Sequence, residues 1–221
     1  MLEINKIHNM DCMDAFDRID DKSIDLIIID PPYFLPAVHY NTRKEFRRNL
    51  ADIGILEHFF REVFEKFSKI IKEDGRIYVF CDGQSYPIFY YHLYPFCKSV
   101  RPLIWNKKRS INGYSWRHQH EIIIFAEMPK TKPVPSGDGD IIECLAVKVD
   151  KRIHPAEKPV ELLTKLINKS SKEGDLIFDC FGGSGSLMEA CIQTKRNYLI
   201  IEKEKKYVDI ANKRLKQQTL I

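Results

Sequence analysis

A chain of 221 residues can bury a substantial core as one domain, and its formal net charge of +4 is too small to hold nucleic acid except through clustered basic side chains. No apolar run is long enough to span a membrane, and Met1-Leu2-Glu3-Ile4-Asn5-Lys6 has none of the features of a secretory signal, so a cytoplasmic location without membrane contact is expected. The six cysteines occur singly, with no Cys-x-x-Cys pair; this argues against zinc or disulfide chemistry and for reduced, buried thiols.

Taken in order, residues 4–11 read as a short strand and turn, followed by a helix over about 13–19 and a polar connection at 20–23. The next stretch is Ile24-Asp25-Leu26-Ile27-Ile28-Ile29-Asp30-Pro31-Pro32-Tyr33. Leu26 to Ile29 form the β-branched apolar run of a strand buried on both faces of a parallel sheet. The run stops at a carboxylate and two prolines, each of which fixes φ, removes an amide donor and biases the preceding residue away from helix. The chain therefore leaves the sheet in a stiff extended arc. That arc holds the Asp30 carboxylate, free carbonyls and the Tyr33 ring at the carboxyl end of the strand, where open α/β sheets bind ligands. An ordinary Pro-Pro turn has the same letters, so the motif needs a partner elsewhere.

Residues 34–55 bring Arg43, Lys44, Arg47 and Arg48 together without a clean period, and are read as a mobile lid, with a solvated basic helix as the alternative. Over 56–71 the residues Leu56, Phe59, Phe60, Val63, Phe64, Phe67, Ile70 and Ile71 recur at helical spacing. Glu73-Asp74-Gly75 then ends the helix before a strand over 76–81. A helix over 86–94, capped by Ser85 with Pro87 in its first turn, precedes strands over 100–105 and 122–126. Their connection carries Lys107, Lys108, Arg109, Arg117, His118 and His120 with Tyr114 and Trp116. Basic side chains interleaved with aromatics suit phosphate contact plus base stacking; a solvated hairpin tip is the alternative. Residues 128–153, rich in Pro, Gly and Lys, read as loop, and 159–171 as a helix with Leu162, Leu163, Leu166 and Ile167 inward.

The partner motif is Leu176-Ile177-Phe178-Asp179-Cys180-Phe181-Gly182-Gly183-Ser184-Gly185-Ser186, a second buried strand ending in a carboxylate and a glycine-rich turn. A helix over 187–194, a strand over 198–201 ending at Glu202 and an amphipathic helix over 203–215 complete the chain. Such a turn lets backbone approach a ligand, and an acidic residue at the end of the next strand can hold ribose hydroxyls. The glycine spacing is not Gly-x-Gly-x-x-Gly and no Walker lysine follows, which disfavours a phosphate cradle.

Together the two stretches resemble the amino-methyltransferases of nucleic acids, in the permuted β-class order that places Asp-Pro-Pro-Tyr before the glycine loop. Asn9-Met10-Asp11-Cys12, Trp105-Asn106 with His120-Glu121-Ile122-Ile123, and His154-Pro155-Ala156-Glu157-Lys158-Pro159 are similar to further segments of that family, so the resemblance spans nearly the whole chain. It implies an α/β, Rossmann-like methyltransferase fold in a single domain over 1–221. The implied sheet is mostly parallel and seven-stranded with one antiparallel strand and helices on both faces, and 128–153 is a minimal target-recognition segment. The implied cofactor is S-adenosylmethionine. Asp11 faces its adenine end, Glu202 its ribose, and Asp179, Phe181, Gly182, Gly183, Ser184 and Gly185 its methionine portion. Lys158 meets its carboxylate, and Cys12, Asp30, Ser186 and Lys203 also line the site. His154 either joins this site or braces the turn before Pro155. Cys180 stands where proline is usual, Ser186 where threonine is, and Phe34 where a small polar residue is frequent.

The implied catalytic residues are Asp30, Pro31, Pro32 and Tyr33. The Asp30 carboxylate and the Pro31 carbonyl accept from an amino group whose lone pair is delocalised into a base, and Tyr33 stacks on that base once it has left the duplex. Asp rather than Ser before the prolines implies adenine N6 in DNA. Cytosine N4 shares the fold and chemistry, RNA is a third substrate, and a catalytically idle nucleic-acid-binding subunit is the reading from a different class. DNA is the expected partner, held by Arg43, Lys44, Arg47, Arg48, Lys107, Lys108, Arg109, Arg117 and His118. A homodimer and a cognate restriction endonuclease are compatible with the resemblance, and no metal is implied.

Overall fold

The computed structural model describes residues 2–32, 50–108, 116–134, 137–147 and 157–218, without the side chains of 50–53 and 216–218. Tyr33, residues 34–49 with Arg43, Lys44, Arg47 and Arg48, then Arg109, Tyr114, and 148–156 with His154, lie outside the described residues. In chain order the elements are β1 (Lys6–Asn9), α1 (Cys12–Phe16), β2 (Ile24–Ile29), α2 (Leu50–Ile70), β3 (Ile71–Cys81) and α3 (Tyr86–Leu93), with a 3-10 turn at Tyr94–Phe96. There follow β4 (Ser99–Asn106), β5 (His120–Glu127), β6 (Ile141–Glu143), α4 (Val160–Ser170), β7 (Leu176–Asp179), α5 (Ser186–Gln193), β8 (Asn197–Glu202) and α6 (Lys205–Gln218).

The strands form one sheet in the order β1-β8-β7-β2-β3-β5-β4-β6. Strand β5 runs antiparallel to both of its neighbours, β3 and β4, and the other pairings are parallel. Side chains alternate across each strand, so each central strand feeds two cores. Ile27 and Ile29 of β2, Ile77, Val79 and Cys81 of β3, and Leu199 and Ile201 of β8 pack under α1, α2 and α3. Leu26 and Ile28, Tyr78 and Phe80, and Tyr198 and Ile200 pack under α4, α5 and α6. Continuous apolar runs in the middle strands are the sequence mark of this double burial. On the first face Phe16, Phe60, Phe64, Phe67, Phe89 and Phe178 meet mostly edge to face, the arrangement that aligns ring edges with ring faces.

Four expectations need correction. The sheet has eight strands rather than seven, because residues 141–143, inside the interval read as loop, pair with β4 through Ile104↔Ile141 and Asn106↔Glu143. Three residues among Pro, Gly and Lys carry no period to detect. Helix α2 runs from Leu50, so 50–55, read together with the aperiodic stretch before it, is helical. Strand β3 begins at Ile71 opposite Ile24, and a register shift takes up Lys72 to Gly75 before Arg76 meets Leu26. Gly75 is needed there: a Cβ would lie 2.6 Å from Ile71 Cγ1 and 3.0 Å from the Asp25 carbonyl oxygen. Finally, Ser85 makes no side-chain cap on α3. Asp82 does the capping, its Oδ1 accepting from the Gln84 and Ser85 amides at 3.0 and 2.7 Å.

Candidate active site

Parallel strands β1, β8, β7 and β2 lie side by side, so their carboxyl ends form one edge, and each delivers an acid there: Asp11, Glu202, Asp179 and Asp30. The turns leaving these strands fix the acids in place. Asp11 caps α1, accepting from the Met13 amide at 3.0 Å, and pairs with Lys203 at 2.9 Å; both contacts hold its carboxyl below the usual range, the amide most. Asp179 is buried, with one oxygen accepting from the Phe181 amide at 2.8 Å. Burial pushes its carboxyl well above the usual carboxylate range. The Phe181 amide opposes that shift, and the Asp30 and Glu202 charges add to it.

The glycine turn is packed against this edge from below. A Cβ on Gly182 would sit 2.2 Å from Ile200 Cγ2, and Gly185, at φ +82°, would meet Ala211 Cβ at 2.8 Å. The turn therefore lies flat on β8 and α6, which a side chain at either position would prevent. Glu202 braces it, one oxygen accepting from the Gly183 amide at 2.8 Å and the other from the Glu204 amide at 2.7 Å. Phe181 ties it to α2 through Phe59 and Phe60, with ring centroids 6.4 and 6.3 Å away. Cys12 and Cys180 are buried in the same apolar cluster, and burial pushes the Cys180 thiol well above its ordinary range. The Gly183 amide is committed to a carboxylate and the edge is acidic. The arrangement thus suits a ligand bearing hydroxyls and positive charge, and repels phosphate.

Arg214, unremarked in the sequence, locks this turn in place. Its guanidinium donates to the Ser184 carbonyl at 3.2 Å and Ser186 Oγ at 3.3 Å, and pairs with Glu157 at 2.5 Å and Glu189 at 2.7 Å. A signal was present: Arg214 falls three residues after Ala211, which is fully buried, whereas Lys205, Lys206 and Lys213 of the same helix are exposed.

At the Asp30 end the chain leaves β2 through buried Pro31 and exposed Pro32. Lys158, 7% exposed, places Nζ 2.5 Å from Asp30 Oδ2 and 3.5 Å from Glu121 Oε2, and 5.0 Å from the Phe80 ring centroid. Glu121 Oε1 in turn meets Lys107 Nζ at 2.5 Å. Burial alone would lower Lys158, but the Asp30 and Glu121 charges outweigh it and hold the ammonium above its ordinary pKa. Burial alone would raise Glu121, but Lys158 and Lys107 outweigh it and hold the carboxyl low.

Of the side chains read as nucleic-acid contacts, Lys107 is 13% exposed and its ammonium turns inward to Glu121. Lys108 pairs with Glu143 at 2.7 Å, while Arg117 and His118 are exposed beside Trp116, itself 94% exposed. Lys158, read as a cofactor contact, is placed on Asp30.

Residues 24–213 match the model of the N6/N4 DNA methylase family. The chain belongs to this family. Type II methyltransferase M.HhaII of Haemophilus parahaemolyticus is 26% identical, over 89% of this chain and 90% of its own. The methylase superimposes on the M1.HpyAVI–SAM complex with a TM-score of 0.70 at 22% identity, covering 95% of this chain and 98% of the other. It also superimposes on the cytosine-N4-specific PvuII DNA methyltransferase with a TM-score of 0.70 at 16% identity, over 94% and 85% of the two chains. The methylase thus shares its fold with a cytosine-N4 enzyme. Its Asp-Pro-Pro-Tyr and glycine-turn carboxylates stand on adjacent strands, β2 and β7, although 149 positions separate Asp30 from Asp179.

Proposed function

We propose that this methylase transfers a methyl group from S-adenosylmethionine to the exocyclic N6 amino group of adenine in DNA. The observation that carries the reading is the Asp30 carboxylate at the exit of β2, next to the acidic edge formed by β7, β8 and β1. When bound, S-adenosylmethionine supplies a methyl group made electrophilic by its sulfonium. Its sulfonium and ammonium charges suit an edge that carries Asp179 and Glu202, and its ribose hydroxyls suit Glu202, whose oxygens each keep a lone pair beyond the amide they accept from. Asp11 and Cys12 would face the adenine, and Asp179 to Ser186 the methionine portion.

Asp30 works on the amino nitrogen. Its carboxylate and the Pro31 carbonyl accept the two N–H bonds, favour a pyramidal nitrogen and stabilise the charge that grows there during transfer. The two prolines keep this acceptor pair in one orientation. Tyr33 stacks on the flipped base, and Arg43, Lys44, Arg47, Arg48, Lys108, Arg109, Arg117 and His118 contact phosphates.

The test is single-turnover transfer of a labelled methyl group to DNA by the wild type, Asp30→Ala and Asp30→Asn, with cofactor affinity measured alongside. The reading expects both variants to lose most turnover and keep cofactor affinity, the pattern of a contact made in the transition state. Asparagine keeps the shape but can present a donor where an acceptor is required. Near-normal turnover by Asp30→Asn would overturn the assignment.

A further inference from the structure

We infer that Glu121 is a positioning residue for methyl transfer, acting on Asp30 through the ammonium of Lys158 that both carboxylates contact. The inference rests on the reading of Asp30 as the acceptor for the amino group. Glu121 reaches the site because β5 runs against its neighbours: its first residues arrive at the edge where the parallel strands end, with Glu121 opposite Trp105 and Ile122 opposite Cys81. Its two oxygens are divided. Oε1 is held by Lys107, whose Nζ lies 5.0 Å from the Trp105 ring centroid, and Oε2 faces Lys158 at 3.5 Å without a hydrogen bond of good geometry. Charges therefore alternate along one line: Asp30, Lys158, Glu121, Lys107.

A buried ammonium beside Asp30 has two opposed effects. It orients the carboxylate, which the reaction needs. Its field also opposes positive charge growing on the amino nitrogen, and it competes with that nitrogen for the Asp30 oxygens. A second carboxylate on the same ammonium relieves both problems, because Lys158 is shared rather than held by Asp30 alone. The 3.5 Å separation from Glu121, against 2.5 Å from Asp30, leaves room for Lys158 to shift toward Glu121 as the base enters. Lys107 fixes Glu121 so that this shift is available at one place.

Glu121→Gln keeps the shape and removes the charge. It should slow single-turnover methylation by about ten- to a hundredfold, the scale of a misplaced reacting group, while the Kd for S-adenosylmethionine and the KM for DNA stay within about threefold. Glu121→Asp, which keeps the charge one methylene further back, should recover part of the loss. If Glu121→Gln does not fold, Lys107→Met carries the test: it frees Glu121 and should also lower the rate constant with cofactor affinity unchanged. A wild-type rate for whichever variant is measured, or a loss that appears in KM rather than in the rate constant, would overturn the inference. Asp30→Asn assayed in the same series separates the two claims. Turnover by that variant sinks the reading of Asp30 itself, whereas an inactive Asp30→Asn beside a normal Glu121→Gln sinks only the role of Glu121.

Discussion

Arg214→Met isolates what the cross-brace on the glycine turn contributes. Methionine matches the stem but takes from Glu157 and Glu189 the cation they share. Glu157 is 4% exposed and Glu189 19%, so neither is well solvated. Removing one partner of a buried ion pair costs about 3–5 kcal/mol, chiefly because the remaining charge stays buried. Folding stability for a domain is about 5–15 kcal/mol, so the loss is a large share of it. At about 2–4 °C per kcal/mol for a chain of this size, Tm should fall by roughly 6–20 °C. Urea unfolding should show a lower midpoint with an unchanged slope. The double variant Arg214→Met with Glu157→Met should be more stable than Arg214→Met alone, since it removes one of the two like charges that Arg214 holds together. A single variant within about 1 kcal/mol of wild type, or a double variant worse than the single, would refute the reasoning.

Gly182→Ala should lose S-adenosylmethionine binding and about 1–3 kcal/mol of stability, because its Cβ would overlap Ile200 Cγ2; adding Ile200→Ala should restore part of the affinity in calorimetry. Binding a cationic ligand favours the ionised form of Asp179, whose pKa is raised in the free protein, so binding should release a proton and affinity should rise as pH rises from the ordinary carboxylate range through the raised one. Calorimetry in buffers of different ionisation enthalpy measures that proton, and Asp179→Asn should remove it; an unchanged proton count would clear Asp179 of the role. Tyr33→Phe should retain much of the methylation rate and Tyr33→Ala lose about 1–3 kcal/mol of base stacking, with equal losses counting against stacking.

The two halves of the site were legible because their strands are buried on both faces and end in carboxylates. Leu26 to Ile29 and Leu176 to Phe178 leave little choice but central strands, and Asp30 and Asp179 follow them at once. That these two strands are neighbours was in neither motif; it is the pairing of Leu26 with Ile177 and Ile27 with Phe178 that shows it. The charge line was hidden for a different reason. Lys107 and Glu121 each look like ordinary polar residues near the ends of a hairpin, and they become an inward pair only when β4 and β5 align Trp105 with Glu121. A basic stretch with aromatics reads as solvent-facing until the pairing register is known. Strand β6 was missed because it has three residues and exists only by pairing with β4. The cap on α3 went to Asp82 instead of Ser85 because the carboxylate three residues earlier reaches the free amides first.

The most direct test of the account is the identity of the methylated base. DNA of mixed sequence is incubated with the wild-type methylase and isotopically labelled S-adenosylmethionine, digested to nucleosides and separated by mass. The account predicts label in N6-methyldeoxyadenosine, and none in any nucleoside when Asp30→Asn replaces the wild type. Label in N4-methyldeoxycytidine would contradict the adenine assignment and keep the Asp30 chemistry; no label in any base would contradict the methyl-transfer reading itself.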